Sequence, residues 1–288
     1  MNTASSRPGL GLIQFVLSVL AVLAATVISG LILGPFSTLA APTHPAWTRL
    51  LVGMALVQGP ALLFFVSGSR LHGWRLWGLS LVVYIGAAQV LAHFETVAFN
   101  FLFQFTLGQM VFLMGSQALT AMILVPLIVT IAGKWNPSTS EDRVGPWLPR
   151  GAKLWIRIGL LSATWYFTYM TAGFFIADPI THDYYAAKIA DLDSINAWLP
   201  GLQLVRGFLW TLLFVLAVGV MNRPLPEAGL LAGLLFGAFH AAGLLLPSSF
   251  MPAEMRLSHL PEIVLSLVWQ GVLTVSVLSW KKKETALN

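Results

Sequence analysis

Six side chains able to exchange protons, bind a metal or form ion pairs stand inside or at the edges of long apolar runs: His93, Glu95, Arg206, His240, His259 and Glu262. His240 is the plainest case. It lies in the run from Leu234 to Pro247, and no Asp, Glu, Lys or Arg falls between Glu227 and Glu254. An imidazole in such a run is expensive unless something receives it, so it marks a functional site by default. Arg206 stands in an equally apolar run and requires a carboxylate or backbone carbonyls, with Glu95 and Glu262 as the candidates. Two chemistries stay open for the set. One is a polar pocket in which these groups satisfy each other and receive a ligand. The other is a metal site, in which His240, His259 and Glu262 supply the two imidazoles and one carboxylate of an open catalytic zinc. Glu95 or Asp183 would then act as base on a bound water. The sequence has no His-Glu-x-x-His element and no cysteine, so thiolate ligands and a cysteine nucleophile are excluded.

Local spacing constrains the set further. His93 and Glu95 are two residues apart and point to different faces of a helix. Pro261 suits the first turn of a helix, which puts Glu262 at a helix N-terminus, where the dipole favours a carboxylate. If that helix starts earlier, Arg256, His259 and Glu262 share one face at a spacing of three.

These residues sit in a chain of 288 residues that is 57% hydrophobic and only 9% charged, with a mean hydropathy of +0.79. Soluble domains carry about 25% charge. The composition therefore predicts an all-α polytopic transmembrane bundle forming one integral membrane domain over residues 1–288. The net charge of +5 does not imply nucleic acid, because the basic residues fall between apolar runs, where orientation signals belong. Apolar runs predict about eight spans, over 10–33, 50–68, 76–99, 108–132, 154–176, 198–220, 228–247 and 262–280. The first run is too long for the core of a cleaved signal and is expected to be retained. Gly30 and Gly34 form a small-xxx-small pair suited to close helix packing. Gly59-Pro60 predicts a kink. The acidic connection 177–197 is expected to hold a short interfacial helix in its later half.

With a cytoplasmic N-terminus, one side collects Arg7, Arg70, Arg75, Lys134, Arg143, Arg150, Lys153, Arg157, Arg223 and Lys281 to Lys283. The other side collects only Arg49, Lys188 and Arg256, a ratio of twelve to three. Both termini are therefore expected in the cytoplasm. That orientation puts His93, Glu95, Arg206, His240, His259 and Glu262 in the outer half of the membrane, along with Asp178, His182 and Asp183. Five of the six histidines, all but His72, lie on or face that side. The boundary with least support is the one between spans three and four, where the stretch from Asn100 to Thr106 has no charge.

Phe236-Gly-Ala-Phe-His240 has the Phe-x-x-x-His form of the membrane-embedded CAAX-protease and bacteriocin-processing family. Upstream, Arg206-Gly207 and the apolar residues after it resemble that family's Glu-Glu-x-x-x-Arg-Gly segment, with Gly201 and Leu202 where the glutamate pair would stand. In the family those glutamates activate the water. The resemblance covers about residues 195–280. It implies a degenerate relative of intramembrane proteases and carries over His240 and Arg206 only.

The expectation drawn from all this is a multi-pass protein of the bacterial cytoplasmic membrane. Its His/Arg/Glu pocket would receive a lipid, a peptide or a small molecule, or support a partner, with membrane lipids as its surroundings. The alternatives are a zinc-dependent intramembrane hydrolase and a small-molecule or lipid transporter. Against transport, no clear internal repeat stands in the sequence.

Overall fold

The computed structural model describes residues 11–37, 47–100, 104–136, 148–149, 151–188, 192–246 and 252–280. Ten helices can be followed through it. They are α1 (Leu12–Leu33), α2 (Trp47–Ser67), α3 (Gly73–Ile85), α4 (Leu91–Ala98), α5 (Leu107–Ile131), α6 (Ala152–Ala172), α7 (Asp178–Lys188), α8 (Leu192–Val220), α9 (Leu225–Ala242) and α10 (Ala253–Ser279). A π turn, Gly86–Val90, joins α3 to α4, and a second, Gly173–Ala177, joins α6 to α7. Among the described residues the sole β-type pairing is an isolated bridge between Ser69 and Met221. The all-α bundle expected from composition is what the chain forms.

Seven of the described helical segments are long and apolar enough to cross a membrane, with α3, its π turn and α4 counting as one. The 21-residue α6 is not among them. Lys153, Arg157 and its Thr, Tyr and Trp residues lower its hydropathy. It nevertheless runs antiparallel to α8 through the same depth. Trp165 reaches Gln203, while Ser162 lies against Gly207.

The basic segments gather at one end. Arg70 N–H donates to Val220 O (2.8 Å), Gly73 N–H to Lys134 O (2.8 Å) and Asn222 N–H to Gly68 O (2.9 Å). Lys134 Nζ donates to Ser69 O (3.0 Å), Gln14 Nε2 to Ile131 O (3.2 Å) and Arg157 Nη1 to Leu278 O (2.9 Å). The starts of α1, α3, α6 and α9 thus meet the ends of α2, α5, α8 and α10. That alternation is the one the Lys/Arg count requires. Arg7, Arg143, Arg150 and Lys281 to Lys283, which entered that count, lie outside the described residues.

Several boundaries differ from the sequence expectation. The short helix in the acidic connection is α7, in its first half, and residues 192–197 belong to α8. Helix α10 starts at Ala253, so Pro261 is an interior residue and Glu262 is not at the N-terminus. The polar first turns of α10 continue as helix because they are packed. Arg256, buried, donates from Nη1 to Leu244 O (2.6 Å) and Leu246 O (2.5 Å), satisfying carbonyls at the C-terminal end of α9. The chargeless boundary before α5 is set by a capping box. Thr106 Oγ1 accepts from Gln109 N–H and Gln109 Oε1 accepts from Thr106 N–H (3.2 and 2.9 Å).

Close packing does not use the expected Gly30 and Gly34, around which no atom outside the local helix lies within 4 Å of an added Cβ. It uses the α9–α10 seam. There a Cβ on Gly233 would lie 2.6 Å from Val268 Cα, and one on Gly271 would lie 2.3 Å from Gly229 O. Helix α2 continues through Pro60, and Gly59 is where Ser18 of α1 crosses, its carbonyl 2.5 Å from an added Cβ. The centre is aromatic: Trp210, Phe214, Phe236 and Phe239 are fully buried, with the Phe214 and Phe236 rings 4.7 Å apart. Forced insertion of a methyl into such a seam costs about 1–3 kcal/mol. Gly233→Ala is therefore expected to lower thermal stability in detergent by about that much, and Gly30→Ala to leave it unchanged, as read by a thermal-shift assay.

Candidate functional site

The site is built at the end of the bundle away from the basic segments, and its first element is the π turn. Leu91 N–H bonds to Gly86 O, five residues back, instead of to Ala87 O. Ala87 O has thereby lost its usual helical donor, and His240 Nδ1 donates to it at 3.0 Å. π turns of this kind are frequent at functional sites. The His240 ring stands edge-on to Trp210, 5.5 Å between centroids. Its Nε2 makes no hydrogen bond among the described residues. One residue before it, Phe239 is locked in place. Its carbonyl accepts from Gln58 Nε2 (3.4 Å), whose Oε1 in turn accepts from Tyr84 Oη (2.9 Å).

The second element is the buried cation. Arg206, only 2% exposed, donates from Nη1 to Glu95 on α4 and, at 3.0 Å, to Gln203 Oε1 one turn back. Gln203 Oε1 also accepts from Trp165 Nε1 (3.1 Å). The guanidinium lies 5.9 Å from the Trp165 ring centroid and 5.7 Å from that of Tyr169, distances suited to cation–π attraction. Of the two carboxylates the sequence offered, Arg206 takes Glu95, which keeps 27% of its side chain exposed. His93, two residues away, faces elsewhere, toward Thr96, Val97, Met110, Leu113 and Met114.

The third element runs from α7 to α10. Tyr185 Oη lies 3.1 Å from His259 Nε2, and His259 Nδ1 lies 2.5 Å from Glu262 Oε2. A carboxylate accepts, so Nδ1 carries the proton, and in the neutral ring Nε2 accepts from the tyrosine. Burial pushes the Tyr185 phenol above its ordinary value, with the charges of Glu95 and Glu262 adding to the effect.

The three elements share one electrostatic environment. His240 feels Arg206, Glu95 and His93. His259 feels Glu262 and Glu95. Tyr169 feels Glu95, Arg206, Glu262 and Tyr185. Arg206 with Glu95 and His259 with Glu262 are in direct contact, and His240 stands on the π turn before α4, so five of the sequence candidates lie toward one end of the bundle on α4, α8, α9 and α10, while His93 faces away from them. Asp183 does not join it, being exposed on α7, and Asp178 and His182 form an exposed pair on the same helix (3.2 Å). The proposed metal triad does not converge either. Among the described residues no three His, Asp or Glu side chains are arranged to hold a metal ion. Both ring nitrogens of His259 are engaged, by Glu262 and Tyr185, and Nδ1 of His240 is engaged by Ala87. A zinc on His240, His259 and Glu262 would have to break that Tyr–His–Glu chain.

Two features were not read from the sequence. A groove of about 610 Å³ opens sideways between α6 with its π turn and α10, lined by Thr164, Phe167, Thr168, Phe175, Leu265, Ser266 and Trp269, among others. Its size is in the range of small-ligand pockets. The other is a set of buried polar atoms that have no hydrogen-bond partner among the described residues. Six of these are Gln203 Nε2, Arg206 Nε and Trp210 Nε1 on α8, and Ser266 Oγ, Gln270 Oε1 and Thr274 Oγ1 on α10. A dry buried polar group costs about 1–3 kcal/mol. Six of them rival the whole stability of a typical domain, about 5–15 kcal/mol. Interior water is the ordinary answer to such groups. The α10 set was legible as Ser258, Glu262, Ser266, Gln270 and Thr274, one residue per turn at a spacing of four.

Fold and site together define a polytopic helical membrane protein with a His/Arg/Glu cluster near one end of its bundle. No protein family, curated protein or solved structure matches the chain.

Two outcomes are expected. Removing one partner of a buried ion pair costs about 3–5 kcal/mol, so Arg206→Ala is expected to destabilise the fold on that scale. Arg206→Ala/Glu95→Ala should recover part of the loss, a coupling measurable in a double-mutant cycle. For Tyr185 the phenol is raised in the folded state, so its contribution to stability is intact below the ordinary value of 10.0 and is lost as pH rises toward the folded value. Wild type should therefore lose more stability than Tyr185→Phe between pH 9 and pH 11, as followed by thermal shift.

Proposed function

We propose that this multi-pass membrane protein binds a lipid or lipid-like amphiphile. The polar group would sit against the His/Arg/Glu cluster and the chain would lie in the groove between α6 and α10. The observation that carries this is the junction of the two. Ser266 lines the groove and stands one turn from Glu262 on the same helix. Glu95 keeps 27% of its side chain exposed. The groove opens between Phe167 and Trp269, both exposed toward the surroundings. The pocket occupies the outer half of a bacterial cytoplasmic membrane, with the basic end in the cytoplasm, in keeping with the Lys/Arg count.

The likeness to CAAX proteases fits the same picture. Its two carried residues, Arg206 and His240, share the environment of Glu95. Glu95 comes from α4, so Arg206 has a carboxylate partner although the glutamate pair is absent from α8. The protein is then a degenerate relative that keeps a pocket. A hydrolase is the second reading, favoured by the proximity of Glu95 to His240; a zinc-dependent form of it predicts stoichiometric zinc that His240→Ala abolishes.

Native mass spectrometry of the detergent-purified protein tests the first reading. Wild type is expected to retain a lipid adduct, and Ser266→Phe, which fills the groove at the junction, to lose it. A wild type that carries no adduct, or an adduct indifferent to Ser266→Phe, would sink the proposal.

A further inference from the structure

We propose that α10 conducts protons. The Tyr185–His259–Glu262 chain takes a proton from the outer end, and a file of water along Ser266, Gln270 and Thr274 carries it toward the basic end.

The geometry of the entrance is a relay. Tyr185 belongs to α7, which lies outside the candidate spans and carries the exposed Asp178–His182 pair on its surface. Its hydroxyl donates to His259 Nε2, and His259 Nδ1–H donates to Glu262 Oε2. A proton arriving at Tyr185 Oη displaces the phenol's own proton to Nε2 as Nδ1 releases its proton to the carboxylate. One proton leaves solution, one carboxylate becomes a carboxylic acid, and the imidazole changes tautomer. Glu262 then hands its proton to the first water beside Ser266. His259 returns to its starting tautomer when its ring turns out of the line between Tyr185 and Glu262 and exchanges Nε2–H for Nδ1–H with water, a step with no net charge. The groups facing Glu262 are His259 on its own helix, Tyr185 on α7, Tyr169 on α6, and Glu95, whose charge is answered by Arg206.

Beyond Glu262 the path is set by position and by unmet hydrogen bonds. Ser266, Gln270 and Thr274 follow one turn apart and are 6%, 0% and 0% exposed, and each has a buried oxygen with no partner among the described residues. Gln270 is fixed by its amide, which donates to Leu161 O at 3.1 Å and leaves Oε1 over. One turn past Thr274, Leu278 O is held by Arg157 at the basic end. From Glu262 to Leu278 the helix rises roughly 24 Å, most of an apolar layer about 30 Å thick. Three unpartnered oxygens one helical turn apart are the acceptors a file of water would use, and dry packing avoids such atoms.

The test is proton flux into phosphatidylcholine vesicles holding a pH-sensitive dye, driven by a potassium gradient with valinomycin. Wild-type protein should dissipate the gradient several-fold faster than protein-free vesicles. Glu262→Gln and Thr274→Val should each remove most of that excess. Thr274→Val keeps the side-chain shape and deletes an oxygen that no protein group uses, so it folds. Ser276→Ala, on the exposed face with its hydroxyl bonded to Val272 O, should leave the rate unchanged. A wild-type rate equal to that of protein-free vesicles overturns the proposal, and so does an excess that survives either Glu262→Gln or Thr274→Val. No added ligand enters the assay, so this outcome is separate from lipid binding.

Discussion

A guanidinium sealed inside an apolar bundle has to be answered by other groups, and Arg206 organises much of the interior by that demand. It requires a carboxylate, and Glu95 supplies it from a different helix. It requires a flat surface, and Trp165 and Tyr169 give two rings. Gln203 holds it from one turn back on its own helix and ties it to Trp165. These contacts join α4, α6 and α8 at one depth. With α6 so placed, α10 packs beside it, and the groove and the Tyr–His–Glu chain follow from where α6, α7 and α10 part. A positive charge that would be destabilising alone thus fixes the relative height of three helices. Removing either partner of such a pair would leave a buried charge unanswered, which is why the two helices must keep this height.

Much of this could be read in the sequence, because membrane insertion leaves a strong imprint. The alternation of basic and non-basic loops predicted which helix ends meet, and Arg70, Lys134 and Arg157 do meet partners at one end. The spacing of His93 and Glu95 predicted that they diverge, and they do. Arg206 was expected to take Glu95 or Glu262. The errors have local physical causes. Pro261 looked like a helix start, since proline lacks an amide proton. Inside α10 it removes only one hydrogen bond, while Arg256 and Glu262 are buried by packing that sequence periodicity does not report. Gly30 and Gly34 had the spacing of a packing motif, but α5 packs on the Ser29 face of α1 and no described atom reaches the two glycines, whereas Gly229, Gly233 and Gly271 form a seam only when two helices are seen together. Asp183 had the right chemistry and the wrong face. The groove was beyond reach, because it is a space between elements and not a property of either one.

Polarity in the bundle falls into two kinds. Gln58 bonds to both Tyr84 and the Phe239 carbonyl, and the Phe239 ring packs edge-on against Tyr84. Along α8 and α10 the bonding is left incomplete at intervals. The first kind builds rigidity. The second kind invites solvent, and solvent in a membrane interior is mobile.

The π turn at Gly86–Val90 has a consequence for the ancestry of the site. A π turn is an α-helix with one residue inserted. Deleting a single residue there would restore regular helix and rotate everything beyond it by about 100°. Glu95 would then swing away from α8, and Ala87 would recover its helical donor and have nothing to offer His240. Both halves of the site, the carboxylate that meets Arg206 and the carbonyl that orients the imidazole, therefore hang on one added residue. A shorter chain lacking it would keep its other side chains and the same membrane topology, without the contact of Glu95 with Arg206 or that of Ala87 with His240.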